Sequence, residues 1–258
     1  MSIVTSVEGH LATITLARPK VRNALSAEMC RAITASLQDI TTSDARAVLL
    51  KGDGGVFCAG ADFAAISGPG GLDFLPAFEE MLNDLWHFRL PTIACLTGAA
   101  LGGGLQLATA CDFRIASEDC KIGIPSSRLG VVINPENVER LVLLAGVRVA
   151  KEVLMTGKVF TGAEAIAHGL VTETHPSEGT ATAAETYAER IATLSPLSVQ
   201  GAKLTINLIA DEMSSARIRN PQETLEIDAL VAEAYNSSDL QEGISAMKAK
   251  RAPNFEGI

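Results

Sequence analysis

Two periodicities of apolar residues follow one another along this chain of 258 residues. Residues 4–7 and 12–16 alternate with a period of two on either side of Glu8-Gly9, which predicts an antiparallel hairpin. Apolar residues then recur at helical spacing from residue 29 to residue 40, and Ser26 is placed to cap the N-terminus of that helix. Helical segments next alternate with short apolar strands at 47–51, 92–96 and 113–116. Such alternation predicts a layered α/β core.

The pattern becomes helical throughout from about residue 180. We predict three or four amphipathic helices up to about residue 250, with breaks at Pro196 and Pro221. Before them, Thr161 and Glu164 have the spacing of a capping box that begins a short helix. The chain is therefore predicted to comprise an α/β core at residues 1–195 and a C-terminal helical region at residues 196–258.

One stretch, residues 90–111, has no charged residue across 22 positions. Its length fits a membrane span, but Pro91, several polar residues and three consecutive glycines interrupt an apolar helix. We therefore predict a buried strand, a turn at Thr97-Gly98 and a helix that begins near the glycines. The first amides of a helix have no partner within the helix, and glycine lets a ligand oxygen approach them closely. Close packing of the helix on a strand is the alternative explanation of the glycines.

Residues 64–78 combine four clustered Gly and Pro residues with apolar side chains, a mixture that predicts a loop. Two interpretations stay open: an edge loop that packs on the core, or the mobile wall of an apolar pocket. A helix is predicted to follow at residues 79–88.

Composition narrows the function classes. The net charge is −9, so the sequence gives no sign of a basic surface that would bind a nucleic acid. Five cysteines without a C-x-x-C pair indicate a reducing setting, and the N-terminus lacks the basic and apolar regions of a signal peptide. We expect a cytoplasmic protein without a membrane span and without a metal site.

Five motifs in order resemble the enoyl-CoA hydratase/isomerase, or crotonase, family. They are RPKVRNALS (18–26), FCAGADF (57–63), GAALGGGLQLATACDFRIAS (98–117), IPSSRLG (124–130) and KRAPNFEG (250–257). The resemblance implies a spiral of ββα turns followed by a helical region that serves in trimerisation, giving a homotrimer or a dimer of trimers. It also implies an acyl-CoA thioester as ligand, with coenzyme A as part of the substrate and no separate cofactor.

The resemblance further implies where the thioester binds. The backbone amides of Ala61 and Gly103 correspond to the family's oxyanion hole, which stabilises negative charge on the thioester oxygen. The expected substrate contacts, mostly through backbone groups and partly through cations, are Lys20, Arg22, Ala24, Ala59, Asp62, Phe63, Asn134, Lys250 and Phe255. Within this set Asp62 is expected to be structural rather than catalytic.

The chain departs from the family at the two glutamates that hydratases use. Gln106 stands at the first position and Ser126 at the second, and neither side chain acts as a general base near neutral pH. Asn134 stands where related isomerases have an aspartate. Glu136 is the nearest carboxylate, and it is either a surface acid stabilised by a helix N-terminus or a relocated base. No histidine lies in a pocket motif, so a serine-hydrolase triad is unsupported.

Two functions remain. One is an enzyme of the family with altered or weak hydratase/isomerase chemistry, for which the candidate catalytic residues are Ala61, Gly103, Gln106, Ser126 and Glu136. The other is a catalytically silent acyl-CoA binding protein of fatty-acid metabolism, in which Gln106 and Ser126 hydrogen-bond the ligand.

Overall fold

The computed structural model describes residues 2–63, 73–215 and 221–257. The strands are β1 (Ile3–Glu8), β2 (Leu11–Leu16), β3 (Ala47–Gly52), β4 (Thr92–Leu96), β5 (Ala99–Leu101), β6 (Phe113–Ser117), β7 (Lys121–Gly123), β8 (Val159–Thr161) and β9 (Glu173–His175). Six of them form the main sheet in the order β1-β2-β3-β4-β6-β9, in which β1 and β2 are antiparallel and the other neighbours are parallel. A three-stranded sheet has the order β5-β7-β8.

Helices occupy most of the rest of the described chain. They are α1 (Ala27–Ile40), α2 (Phe74–Trp86), α3 (Gly103–Thr109), α4 (Pro135–Met155), α5 (Gly162–Ala165), α6 (Ser177–Ala192), α7 (Pro196–Ser215), α8 (Pro221–Asn236) and α9 (Ser238–Ala249). Short 3-10 turns lie at Pro19–Val21, Ser126–Arg128 and Ile166–His168. The predicted combination of an α/β part with C-terminal helices is confirmed.

Local sequence signals explain several element boundaries. The Ser26 hydroxyl accepts a hydrogen bond from the Met29 amide at 3.3 Å, which confirms the predicted cap of α1. The predicted capping box is also present, because Thr161 and Glu164 each bond the other's backbone amide. The predicted hairpin pairs Ile3 with Leu16 at its open end.

The core lies where the parallel strands are covered on both faces. Every residue of β4 is buried, and α6 packs against β3, β4 and β6. This explains why the strand at the start of the uncharged stretch reads as a continuous apolar run rather than an alternating one. No helix in the described ranges is long and apolar enough to span a membrane.

The chain separates into two compact units. The first unit comprises residues 1–122 and 160–207, and the second unit comprises residues 123–159 and 208–258. The predicted division after residue 195 falls at the turn between α6 and α7, whereas the units divide within α7. The predicted domain boundary stays a prediction.

One part of the loop prediction was wrong. Residues 64–72 lie outside the described residues, but Phe74–Trp86 is helical, so this helix begins five residues before the predicted start. The side chains of Phe74, Phe78 and Met81 lie on one buried stripe, and burial of that stripe decided the conformation. Pro76 does not prevent it, because the amide of a residue in the first helical turn needs no partner within the helix.

Candidate active site

The segment after the β3 turn runs beside β5, and this pairing positions the site. The Cys58 amide donates to the Ala99 carbonyl at 2.9 Å, and the Leu101 amide donates to the Cys58 carbonyl at 3.0 Å. One residue earlier, the Phe57 amide donates to the Thr97 carbonyl at 2.8 Å. Residues 57–61 and 97–103, about forty residues apart in sequence, are therefore locked side by side.

Two glycines allow the two segments to approach each other. A Cβ atom at Gly104 would lie 2.3 Å from the Cys58 carbonyl oxygen, and one at Gly60 would lie 2.8 Å from the Leu101 carbonyl oxygen. Gly60 also has a φ of 110°, a conformation that L side chains rarely adopt. Close packing therefore explains these two glycines.

Gly103 is different. A Cβ atom there would meet only ordinary contacts, at 3.4 Å from the Phe78 ring and 3.6 Å from the Ala61 amide nitrogen. The space beside this glycine is thus bordered by an aromatic ring and a backbone N–H. Close packing therefore explains Gly104, whereas the approach of a ligand oxygen remains the predicted role of Gly103.

The two amides expected to form the oxyanion hole lie together in the first unit. A Cβ atom at Gly60 would lie 3.6 Å from the Gly103 nitrogen, and a Cβ atom at Gly103 would lie 3.6 Å from the Ala61 nitrogen. Gly103 is the first residue of α3, so its amide has no partner within the helix. Within the described ranges, neither the Ala61 nor the Gly103 amide donates a hydrogen bond. Two such donors can stabilise an oxygen that gains negative charge.

The loop of residues 18–24 holds the Ala61 side of the site. The Leu25 amide donates to the Gly60 carbonyl at 2.8 Å, and the Ala59 amide donates to the Arg22 carbonyl at 3.0 Å. The Arg18 guanidinium donates to the Asp62 carboxylate at 2.9 Å. Asp62 thus binds the loop together, in keeping with the structural role expected for it.

Asn23 is a residue that the sequence analysis missed. Its side chain is fully buried, and its amide group donates to the carbonyls of Asp53 at 2.9 Å and Val56 at 2.6 Å. Its side-chain oxygen accepts from the Arg18 amide at 2.9 Å. The backbone has a φ of 56°, which asparagine tolerates better than most residues. This tolerance was the available signal, but only the fold shows which carbonyls the side chain reaches.

Gln106 lies on α3 one turn beyond Gly103 and is 6% exposed. Side chains of a helix tilt towards its N-terminus, so this amide group extends back towards the turn that carries the Gly103 amide. Its backbone amide donates to the Gly102 carbonyl at 3.2 Å. In the described ranges, its side chain makes no hydrogen bond. A neutral, buried polar group therefore lies one helical turn beyond Gly103.

Arg114 was also missed, and it closes the other end of α3. Its buried guanidinium donates to the carbonyls of Ala108 at 3.2 Å, Cys111 at 2.7 Å and Leu170 at 3.1 Å. Burial lowers the pKa of this guanidinium. A cation at a helix C-terminus satisfies carbonyls that lack partners within the helix. Arg114 thereby fixes the helix whose first residue supplies the Gly103 amide.

The remaining candidate residues lie at several places in the chain. Among the expected substrate contacts in the first unit, Lys20 and Arg22 are exposed. The others are half-buried: Ala24, Ala59, Asp62 and Phe63. In the second unit, Ser126 begins a 3-10 turn and is 8% exposed.

Two further second-unit candidates begin α4. Asn134 is its half-buried N-cap residue, and Glu136 is exposed in its first turn. This exposed position favours the surface-acid interpretation of Glu136.

The C-terminal segment of the second unit carries the last two candidates. Lys250 ends α9 with a φ of 54°, and Phe255 is 38% exposed. Between them, the Arg251 guanidinium donates to the Glu242 carboxylate at 2.7 Å, an interaction that lowers the pKa of Glu242 to about 2. Glu242 also accepts from the Asn254 amide at 2.8 Å. The Asp239 carboxylate of the same helix accepts from the Glu256 and Gly257 amides, so two carboxylates of α9 hold this segment.

The cysteines offer neither a nucleophile nor a metal site. Burial raises the pKa of Cys30 and of Cys58 to about 12, so both remain neutral thiols near pH 7. Among the described residues, no group of three His, Cys, Asp or Glu side chains is arranged to hold a metal ion.

Similarity to known proteins covers almost the whole chain. The family model for enoyl-CoA hydratase/isomerase matches residues 6–258. YngF of Bacillus subtilis (strain 168) is 35% identical over 263 residues, covering 100% of this chain and 99% of the relative. Among solved structures, an enoyl-CoA hydratase/isomerase from Pseudoalteromonas atlantica T6c is 27% identical with a TM-score of 0.87, covering 99% of this chain and 100% of that one.

A methylmalonyl-CoA decarboxylase complexed with 2S-carboxypropyl CoA is 25% identical with a TM-score of 0.88, over 100% of this chain and 99% of that one. Its fold therefore matches along the full length. Taken with the paired amides at Ala61 and Gly103, these matches show that the chain belongs to the enoyl-CoA hydratase/isomerase family and has the crotonase fold.

Proposed function

We propose that this protein binds an acyl-CoA thioester whose carbonyl oxygen accepts hydrogen bonds from the Ala61 and Gly103 amides. The observation that carries the proposal is the pair of neighbouring backbone amides that lack acceptors in the described ranges. Family membership supports it, as does the solved relative at 25% identity that holds a carboxypropyl CoA ligand. Each amide would stabilise developing charge on that oxygen by roughly 2–4 kcal/mol.

The coenzyme A part of the ligand is proposed to lie along residues 20–24 and 59–63. The exposed cations Lys20 and Arg22 suit its phosphates, because charge-assisted hydrogen bonds to phosphate are the strongest that such side chains make. Lys250 and Phe255 are proposed further contacts, and Asn134 a contact of the acyl part. An apolar wall was predicted at residues 64–78, and residues 64–72 of it lie outside the described residues, so preference for a medium or long acyl chain rests on sequence.

The chemistry proposed for this site is an altered or weak form of the family's hydratase/isomerase reactions. Neither the Gln106 amide group nor the Ser126 hydroxyl can remove a proton at neutral pH without help. The oxyanion hole alone still lowers the barrier to any reaction that places charge on the thioester oxygen. Glu136 is the proposed alternative base.

Catalytically silent acyl-CoA binding is the second candidate function. The buried, uncharged Gln106 favours it, because an amide can hydrogen-bond a thioester ligand without titrating. A hydration assay with crotonyl-CoA separates the two functions. Turnover that exceeds the uncatalysed rate and disappears in Glu136→Gln would support the enzyme with a relocated base, whereas a rate equal to buffer alone supports silent binding.

We propose a cytoplasmic homotrimer or dimer of trimers. Apolar side chains of α7 and α8 are exposed in the single chain, and another subunit is the expected cover. They are Leu197, Leu204, Ile206, Leu208, Ile209, Leu225 and Leu230. Light scattering should give a mass near three or six times 27.0 kDa, and a monomer in solution would contradict this proposal.

The thioester proposal is tested by calorimetry with butyryl-CoA and its thioether analogue, S-butyl-CoA, which lacks the carbonyl oxygen. Hydrogen bonds to neutral acceptors contribute about 0.5–1.5 kcal/mol each, so we expect the thioester to bind roughly tenfold more tightly. Free coenzyme A is the control for the contacts of the nucleotide part. Equal affinities for thioester and thioether would show that the two amides do not hold the carbonyl oxygen.

A further inference from the structure

An aromatic ring lies beside Gly103, close to the Ala61 amide nitrogen. The Cζ and Cε2 atoms of Phe78 lie 3.4 and 3.5 Å from the position of a Cβ atom at Gly103. The Ala61 nitrogen lies 3.6 Å from that same position. The ring, the glycine and the amide therefore surround one small volume.

The ring is held in place by its packing. Phe78 is 3% exposed, and its ring stacks on that of Phe74 with centroids 5.3 Å apart and an interplanar angle of 14°. Both lie on the buried stripe of α2, which packs against α1. Buried rings in a close-packed interior do not move aside without disturbing their neighbours. Phe78 is thus a fixed wall rather than an adaptable one.

The position of this wall has a consequence for the acyl group. An oxygen that accepts from both amides lies about 2.9 Å from each nitrogen, and the carbonyl carbon lies about 1.2 Å beyond it. The Cα atom of the acyl group is bonded to that carbon and so lies within a few ångströms of the same volume. A methyl group needs about 3.5–4 Å from an aromatic carbon. A substituent on Cα therefore competes with the Phe78 ring for space.

We propose that Phe78 determines specificity at the acyl Cα atom: it admits straight-chain acyl groups and disfavours those branched at that carbon. This inference rests on the proposed binding of the thioester oxygen by Ala61 and Gly103. It concerns selection among thioesters rather than the chemical step.

The test compares butyryl-CoA with isobutyryl-CoA, two thioesters that have the same number of carbons and differ in branching at Cα. Calorimetry should show that the parent protein binds butyryl-CoA at least tenfold more tightly. In Phe78→Leu the ratio should fall below threefold, because the affinity for isobutyryl-CoA rises. If that variant does not fold, Phe78→Met, which keeps most of the volume in a flexible side chain, takes its place.

Phe113→Leu is the matched control, because Phe113 lies in β6 of the first unit and its ring packs on the ring of Tyr187 in α6. It should keep the parent's ratio. Equal affinity of the parent for the two thioesters, or an unchanged ratio in the Phe78 variants, would overturn the inference. If the parent bound neither thioester, the proposed thioester site itself would fail, a result distinguishable from equal binding of both.

Discussion

Alanine substitutions at the neighbouring glycines 103 and 104 should separate ligand binding from folding. At Gly104 the added Cβ would lie 2.3 Å from the Cys58 carbonyl oxygen and 2.9 Å from the Cys58 Cβ. At Gly103 it would make only ordinary contacts with Phe78 and with the Ala61 amide. The two changes are chemically identical, occupy the first turn of one helix and differ only in what the methyl group meets.

Gly104→Ala should destabilise the fold, because the clash involves buried backbone that cannot turn away. Overpacking of this kind costs about 1–3 kcal/mol, and occasionally more. For a chain of this size each kcal/mol lowers Tm by about 2–4 °C, so we expect a loss of roughly 5–10 °C. Gly103→Ala should leave Tm unchanged or slightly higher, since alanine is favoured over glycine in a helix by up to about 1 kcal/mol.

Binding should show the opposite order. The Gly103→Ala methyl group would lie 3.6 Å from the Ala61 nitrogen, in the volume that a thioester oxygen must enter. Weakening one or both hydrogen bonds at about 0.5–1.5 kcal/mol each lowers butyryl-CoA affinity about tenfold. Affinity for free coenzyme A should not change. Scanning calorimetry and titration calorimetry of the parent and both variants measure the two effects. A Gly103→Ala protein that folds and binds butyryl-CoA like the parent would refute the assignment of the oxygen site.

Four other predictions concern individual side chains of the core and of the proposed site. Asn23→Asp keeps the side-chain shape but loses both donors, so Tm should fall by roughly 5–10 °C, given about 1–3 kcal/mol for unsatisfied buried carbonyls. Arg114→Met leaves the buried Cys111 and Leu170 carbonyls without their guanidinium donor, and each unsatisfied buried carbonyl costs about 1–3 kcal/mol, measured by urea denaturation. A loss under 1 kcal/mol would contradict the role of Arg114 at α3. The parent should hydrate crotonyl-CoA poorly. Gln106→Glu with Ser126→Glu together should raise the rate of hydration more than the two single changes combined, because the family's carboxylates act as a unit. A parent that hydrates crotonyl-CoA as fast as ordinary hydratases would refute this prediction. Burial raises the Cys58 pKa from 9.0 to about 12, so the folded state retains its proton; stability should be unaffected below pH 9 and decline as pH rises from 9 towards 12, measured against Cys58→Ala.

Local sequence was sufficient for several elements and for the family. Period-two alternation predicted the first hairpin, helical spacing with Ser26 predicted α1, and Thr161 with Glu164 predicted the capping box, because each signal acts between residues close in the chain. The five motifs predicted the crotonase family, which is confirmed, and they also predict the two amides of the proposed oxygen site. They could do so because backbone amides need only the right chain path, which glycine-rich motifs encode.

Only the tertiary structure shows that neighbouring residues of the same type have different roles. Gly104 permits close packing on Cys58, whereas Gly103 leaves an amide open beside Phe78, and the sequence letters of the two positions are the same. The helical start at Phe74 was missed for a related reason, since burial of its stripe outweighed the local loop signal. Asn23 and Arg114 each bond carbonyls that lie 30 or more residues away. Such partners are set by strand order and helix docking, which bring distant segments together and which no local period of the sequence records.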